Sequence, residues 1–248
     1  MKKLTASNVS VSFDGIKIIE DISIELNQGE IVCLLGVSGA GKTTLFNVLS
    51  GLLMPDTGIV AMNDIPITGQ AGKVSYMLQK DLLLPFKTVI DNVALPLLIK
   101  GMNKKKARIE AFKYFEEFGL KGTEYKYPNQ LSGGMRQRAA LLRTYLFSHE
   151  VALLDEPFSA LDTITKSNMH QWYLQVMEQI KLSTLFITHD IDEAILLSDR
   201  IYIMTGKPGK ITQEIIVNEK KPRDKEFIVS TEFMEYKKLI RNILEEAQ

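Results

Sequence analysis

The stretch LLGVSGAGKTTLFNVLSG, from Leu34 to Gly51, holds four glycines, three of them between two ordered-looking segments. The run EIVCLL, from Glu30 to Leu35, follows Gly29 and is apolar after its first residue, which predicts a buried strand. TTLFNVLSGL, from Thr43 to Leu52, repeats Leu45, Phe46, Leu49 and Leu52 at helical spacing. Between them, Gly36, Val37, Ser38, Gly39, Ala40, Gly41, Lys42 and Thr43 fit G-x-x-x-x-G-K-[ST], with a strand before and a helix after. Glycines let backbone N–H groups turn inward and approach a phosphate. The helix that follows aims its unsatisfied N–H groups and positive dipole end at the same point. Lys42 is expected to reach the β- and γ-phosphates, and the Thr43 hydroxyl to ligate Mg²⁺, with Thr44 beside it in the first turn. The loop reads as a nucleotide site.

Composition narrows what that nucleotide can drive. The chain has 248 residues, 45% hydrophobic and 24% charged, enough for one large α/β domain with a subdomain. Thirty Lys and Arg balance thirty Asp and Glu, so no overall basic field argues for nucleic acid. Lys104-Lys105-Lys106 and the six cations between Lys207 and Lys225 read as solvated surface. Cys33 is the sole cysteine and lies in the strand before the glycine loop, so it reads as a small core residue in a reducing compartment. No uncharged apolar run approaches the ~18 residues of a membrane span, and MKKLTASNVSVSF at the start lacks the apolar block of a signal peptide. A cytosolic chain is expected unless a partner holds it elsewhere.

Outward from the loop, residues 4 to 28 alternate around Asp14-Gly15, which predicts an antiparallel pair with a tight turn. TGIVAMNDIPI and KVSYMLQ read as further strands. Lys87 to about Leu146 turns helical, with a helix in KKKARIEAFKYFEEFGL ending at Gly119. EVALLDEP, STLFITHD and DRIYIMTG are three more strand-length apolar runs. The predicted fold is α/β: a mainly parallel sheet, an antiparallel β-subdomain at the N-terminus and a helical insert near residues 85–147. Residues 223–248 read as a polar helical tail after a domain spanning residues 1–222.

Four chemical groups follow directly after apolar strands: the glycine loop after EIVCLL, Gln79 after KVSYML, Asp155-Glu156 after VALL, and His189 after TLFIT. Ligands of open parallel sheets bind beyond the carboxyl ends of the strands, so neighbouring strands would bring all four to the phosphates. Asp155 would hold Mg²⁺ opposite Thr43. Glu156, one residue on, points elsewhere and is the candidate to activate the attacking water. Gln79 could touch Mg²⁺ or that water through its amide oxygen, and His189 could donate to the γ-phosphate. Spacing by itself assigns neither role.

LSGGMRQ, Leu131 to Gln137, makes a second phosphate-ready helix start, with Ser132 as N-cap and two bare glycines, unless it is simply a capped helix. Glycine loop, Gln79, LSGGMRQ, LLDEP, SALD and His189, in this order, resemble the ATP-binding-cassette ATPase subunit of a membrane transporter. The resemblance reaches to about residue 215. It implies that two copies meet head to tail with each ATP between the glycine loop of one and the LSGG of the other. Ser132, Gly133 and Gly134 would then contact the γ-phosphate on the opposite chain, with Gln137 also among the nucleotide-contacting residues. Asp162 of SALD would communicate across the interface, and Phe13 would stack on adenine. LLPFKTVIDNV and DEPFSALD look most like the importer subgroup for nitrate, sulfonate, taurine and pyrimidine vitamin precursors, although that subgroup usually carries Trp where Phe86 stands. The implied partners are transmembrane permease subunits and an extracytoplasmic solute-binding protein, with this chain on the cytoplasmic face of the membrane. A soluble cassette ATPase acting on nucleic acid or ribosomes is the alternative. Such translation factors carry two cassettes in one chain, and chromosome-type cassettes insert a long coiled coil. LSGGMRQ makes a third reading, a P-loop nucleotide kinase, improbable. The loop between Gln79 and Val93 is expected to expose Leu84 and Phe86 to a membrane partner.

Overall fold

The computed structural model describes residues 1–159, 161–221, 223 and 225–246. Ala160 of SALD, Pro222 at the expected domain boundary, and Ala247 and Gln248 at the end of the tail lie outside the described residues. In chain order the elements begin with strands β1 (Lys2–Phe13), β2 (Ile16–Asn27) and β3 (Ile31–Gly36), then helix α1 (Lys42–Leu49). Strands β4 (Thr57–Met62), β5 (Ile65–Pro66) and β6 (Ser75–Met77) follow. The helical insert holds α2 (Val89–Val93), α3 (Leu95–Ile99), α4 (Lys104–Phe112) and α5 (Gly133–Phe147). The chain returns through β7 (Val151–Asp155), α6 (Thr163–Ile180), β8 (Ser183–Thr188), α7 (Ile191–Leu197), β9 (Arg200–Thr205) and β10 (Lys210–Ile216). It ends in α8 (Lys225–Ile228) and α9 (Thr231–Glu246).

Every residue of β3, β8 and β9 is buried, as expected for parallel strands covered on both faces. The central sheet runs β10-β9-β3-β8-β7-β6, parallel throughout except for β10, which pairs antiparallel with β9. Alternation along β3 divides the core. Ile31, Cys33 and Leu35 join the cluster under the helical insert, α6 and α7. Val32 and Leu34 join Leu45, Phe46 and Leu49 of α1 and the inward residues of the second sheet. That second sheet, β2-β1-β4-β5, is the expected antiparallel subdomain.

Several boundaries differ from expectation. TGIVAMNDIPI is two strands, because Asn63 and Asp64 both take positive φ and turn the chain. The helix expected to run to Gly119 stops at Phe112. Beyond it the chain continues in tightened turns that drive Phe115 and Phe118 inward, at 1% and 0% exposure. The stop signal holds: Gly119 has φ +65°, and Leu120 N–H closes back on the Phe115 carbonyl. Strand β10 sits inside the cation-rich stretch that reads as solvated surface. It is an edge strand with Ile215 as its buried residue, so its alternation is weak.

The helical tail is rich in charge yet is not free of the core. Phe227, Phe233 and Ile240 enter the same core cluster as α6 and α7. Arg223, 1% exposed, donates to the carbonyl oxygens of Ile195, Leu196, Ser198, Val217 and Glu219. Its guanidinium thereby caps the C-terminal end of α7, where the helix dipole favours a cation.

Candidate nucleotide site

The order β3-β8-β7-β6 places the carboxyl ends of four strands side by side. The glycine loop, His189, Asp155-Glu156 and Gln79 therefore occupy one edge of the sheet. A cavity of about 430 Å³ opens there, lined by Ser38, Gly39, Gly41, Lys42, Thr43, Thr44, Asp155, Glu156 and His189, with Ile18 and Ile187 at its wall.

Strand β2 presses on the loop. A Cβ on Gly41, where φ is +92°, would lie 2.5 Å from Ile19 Cγ2. One on Gly36 would lie 2.2 Å from the Met204 carbonyl oxygen. Glycine is required at both for the backbone to come this close. Helix α1 starts at Lys42 with no side-chain cap, leaving its first N–H groups open toward the cavity. Lys42 Nζ folds back to donate to the carbonyl oxygens of Gly36 at 2.8 Å and Val37 at 2.9 Å. Burial lowers the Lys42 ammonium pKa, and the charges of Glu156 and Asp155 oppose that shift. Ala40 turns its methyl group into the core, so it offers the site only backbone.

At the end of β7 the two carboxylates diverge. Asp155 accepts from the Tyr76 hydroxyl at 3.4 Å, and burial, then the neighbouring Glu156 charge, raises its carboxyl above the usual range. A cation at this point would relieve both effects. Among the described residues no group of three His, Cys, Asp or Glu could hold a metal by itself. The donor set here, a threonine hydroxyl and one carboxylate, suits a hard cation that takes its other ligands from phosphate and water. Glu156 has φ +45°, an uncommon conformation for a non-glycine residue, and its N–H is held by the Ile187 carbonyl at 3.0 Å. That turn sends its side chain away from Asp155. One carboxylate oxygen accepts from Gln79 Nε2 at 2.8 Å, and the other lies 3.2 Å from His189 Nδ1. Two groups, one 77 residues before Glu156 and one 33 residues after it, thus meet on its carboxylate. Tyr76 is a site residue that the sequence reading missed. Its signal is alternation along β6, where the two flanking residues are buried and Tyr76 faces Phe46 edge-on.

The other expected residues stand apart. Ser132 caps α5 through the Met135 N–H at 3.3 Å, and Asp162 caps α6 through the Thr165 N–H at 3.1 Å. Gly133 and Gly134 lie against Leu161 and Thr165. None of these four, nor Phe13, which is 47% exposed at the end of β1, lines the cavity. Gln137 stands apart as well. It is 5% exposed and packs beside Leu141, Phe158 and Tyr173, because its place one turn inside α5 faces the core rather than the helix start.

Residues 19–159 match the family profile described as ABC transporter. The chain belongs to the ABC transporter family. Among ABC relatives, a formylaminopyrimidine import ATP-binding protein of Halalkalibacterium halodurans is 48% identical over 206 residues, covering 83% of this chain and 80% of its own. A taurine import ATP-binding protein of Yersinia pestis is 35% identical over 215 residues, covering 87% and 84%. A solved dimeric ATP-binding cassette in a post-hydrolysis state, bound to ADP and Pi, superposes with a TM-score of 0.73 at 27% identity, covering 88% of this chain and all of its own. A second cassette, in an ADP conformation, reaches a TM-score of 0.80 at 22% identity and covers 100% of this chain and 98% of its own, a likeness of fold.

Proposed function

We propose that this chain is the ATP-binding and ATP-hydrolysing subunit of an importer, driving solute through separate membrane-spanning subunits. The observation that carries the reading is Glu156. Its carboxylate stands at the mouth of the phosphate cradle with Gln79 and His189 on its two oxygens. Lys42 exchanges its two loop carbonyls for the β- and γ-phosphates. Thr43 and Asp155 would hold Mg²⁺, which when bound would offset the charge of the phosphates. Glu156 takes the proton of the attacking water, Gln79 orients that water, and His189 donates to the γ-phosphate as the bond breaks. Residues 1–222 form the ATPase domain, with the helical subdomain at about 85–147 and residues 223–248 as an appended tail.

Ser132, Gly133, Gly134 and Asp162 stand outside the chain's own cavity, as expected if they complete the site of a second copy arranged head to tail. Phe13 offers an exposed ring for adenine. No helix among the described residues is long and apolar enough to cross a membrane; in this reading a separate partner supplies the passage. A groove of about 390 Å³ lined by Leu52, Pro96, Ile99, Arg143 and Phe147 offers that partner a seat. Arg143 also donates to the carbonyl oxygens of Asp81 and Leu82, tying the groove to the segment after Gln79. Phe86, 72% exposed, belongs to that segment. Leu84 is half-buried, its backbone held by Asn92, and is the weaker contact. The chain therefore works at the cytoplasmic face of a membrane. Its partners are permease subunits and a solute-binding protein, and the solute is of the small nitrogen- or sulfur-containing kind that the relatives' names carry.

Purified Glu156→Gln protein tests the chemistry. It is expected to bind Mg²⁺-ATP as wild type does and to lose a factor on the order of 10²–10⁴ in turnover, because an amide accepts no proton. Wild-type turnover in Glu156→Gln would remove Glu156 from the reaction.

A further inference from the structure

His189 has a side chain that is 66% exposed, and it touches Glu156 across the mouth of the cavity. Packing does not fix such a ring, so its place is set by the three-residue turn that carries it, Thr188-His189-Asp190. That turn is gripped from behind. The Thr188 hydroxyl donates to Glu193 Oε2 at 2.6 Å and accepts the Asp190 N–H at 3.1 Å. Asp190 Oδ1 caps α7 through the N–H groups of Asp192 and Glu193. Behind both stands Lys166 of α6, whose ammonium lies 2.8 Å from Glu193 Oε1 and 3.4 Å from Asp190 Oδ2. His170, one turn further along α6, faces the same Glu193 oxygen at 3.4 Å.

Helix α6 is itself an extension of the other catalytic turn. Ser159 N–H and hydroxyl both bond the Glu156 carbonyl, and the Lys166 N–H bonds the Asp162 carbonyl at 2.8 Å in the first turn of the helix. Lys166 thus begins on the segment leaving Glu156 and ends on the turn holding His189. Its side chain joins the two loops whose tips must meet at 3.2 Å. A fully buried carboxylate needs such partners to stay charged. Burial alone would raise the Glu193 carboxyl, and the contacts of His170, Lys166 and Thr188 bring it down to about 2.

We propose that Lys166 and Glu193 are a positioning pair that sets where His189 stands relative to Glu156, and so tunes turnover without touching nucleotide. The proposal rests on the hydrolytic reading of the site. A pair that merely fastens α6 to α7 would lower the melting temperature and leave the His189 ring where it is.

The chain has three histidines, so imidazole NMR of the full-length protein resolves the question, with the His189 signals assigned by their loss in His189→Gln. In Lys166→Met, which keeps the aliphatic stem, the His189 signals are expected to shift. Turnover should fall about tenfold while KM for ATP stays within about twofold, since small displacements at a reacting centre act on rate. Lys166→Arg, which can reach both Asp190 and Glu193, is expected to restore signals and turnover to near wild type. Glu193→Gln keeps the Thr188 bond, and it should give the same shift as Lys166→Met if the latter folds poorly. Unmoved His189 signals in folded Lys166→Met or Glu193→Gln overturn the proposal whatever the rate. A failure of the hydrolytic reading would appear instead as wild-type turnover in Glu156→Gln.

Discussion

Arg223→Met should be a costly substitution for a charged residue outside the nucleotide site. The guanidinium is 1% exposed and donates to five carbonyl oxygens, three of them at the end of α7. Methionine refills the volume of the stem and removes every donor. Each buried carbonyl left without a partner costs about 1–3 kcal/mol, and hydrogen bonds to a charged group contribute somewhat more than neutral ones. Two effects reduce the total. Burial already depresses the Arg223 pKa, so removing the charge recovers desolvation energy. Some of the carbonyls will also find water once the segment loosens. A net loss of about 3 kcal/mol is expected, toward the low end for breaking a buried charged network. For a chain of this size that corresponds to a fall of about 6–12 °C in melting temperature. Differential scanning calorimetry and urea titration at neutral pH measure it. Hydrogen exchange should localise the loss to α7 and α9, because Phe227, Phe233 and Ile240 lean on the same corner. A melting temperature within a degree of wild type would mean that the cap contributes nothing and that hydrophobic contacts alone hold the tail.

Gly41→Ala should abolish tight ATP binding, since the new Cβ would meet Ile19 at 2.5 Å and the φ of +92° is strained for alanine; unchanged affinity by calorimetry would refute the tight-loop account. Ser132→Arg should leave ATP binding by the glycine loop intact while preventing ATP-driven dimerisation of Glu156→Gln protein, read by light scattering. Phe86→Ser should change stability by less than about 0.5 kcal/mol, as surface substitutions usually do, yet lose association with the membrane subunits; a large drop in melting temperature would place the ring in the core. Asp155 has a raised folded pKa, so its ionisation opposes folding at neutral pH and ceases to do so below the usual carboxylate range. Asp155→Asn should therefore raise the melting temperature of nucleotide-free protein at pH 7, the gain vanishing near pH 3, while Mg²⁺-dependent turnover is lost. Glu193 has the opposite sign: its folded pKa of about 2 contributes stability above the unfolded value of about 4.3, which fades as pH falls between the two. Glu193→Gln should flatten that acid limb in a pH series of melting curves.

The sequence by itself determined the residue types of the glycine loop and where along the chain the buried strands lie. Both are local matters. A glycine loop needs particular residue types at fixed spacing. Buried parallel strands such as VALL and STLFIT announce themselves because both faces are covered and carry few polar residues. Tertiary structure decided what depends on partners distant in the chain. Gln79, Glu156 and His189 could each be named from position, but their meeting on one carboxylate follows from β6, β7 and β8 being neighbours in the sheet. The burial of Gln137 follows from the helical rotation of α5, which turns it to the core. The tail looked polar because its buried residues, Phe227, Phe233 and Ile240, are few among many charges. Arg223 looked like one more surface cation for the same reason. Hydropathy averages over a segment, whereas burial is set residue by residue by what packs against it. A charged side chain can sit in the interior when backbone carbonyls at a helix end converge on it. That convergence is a property of three-dimensional arrangement and leaves no mark in the order of residues.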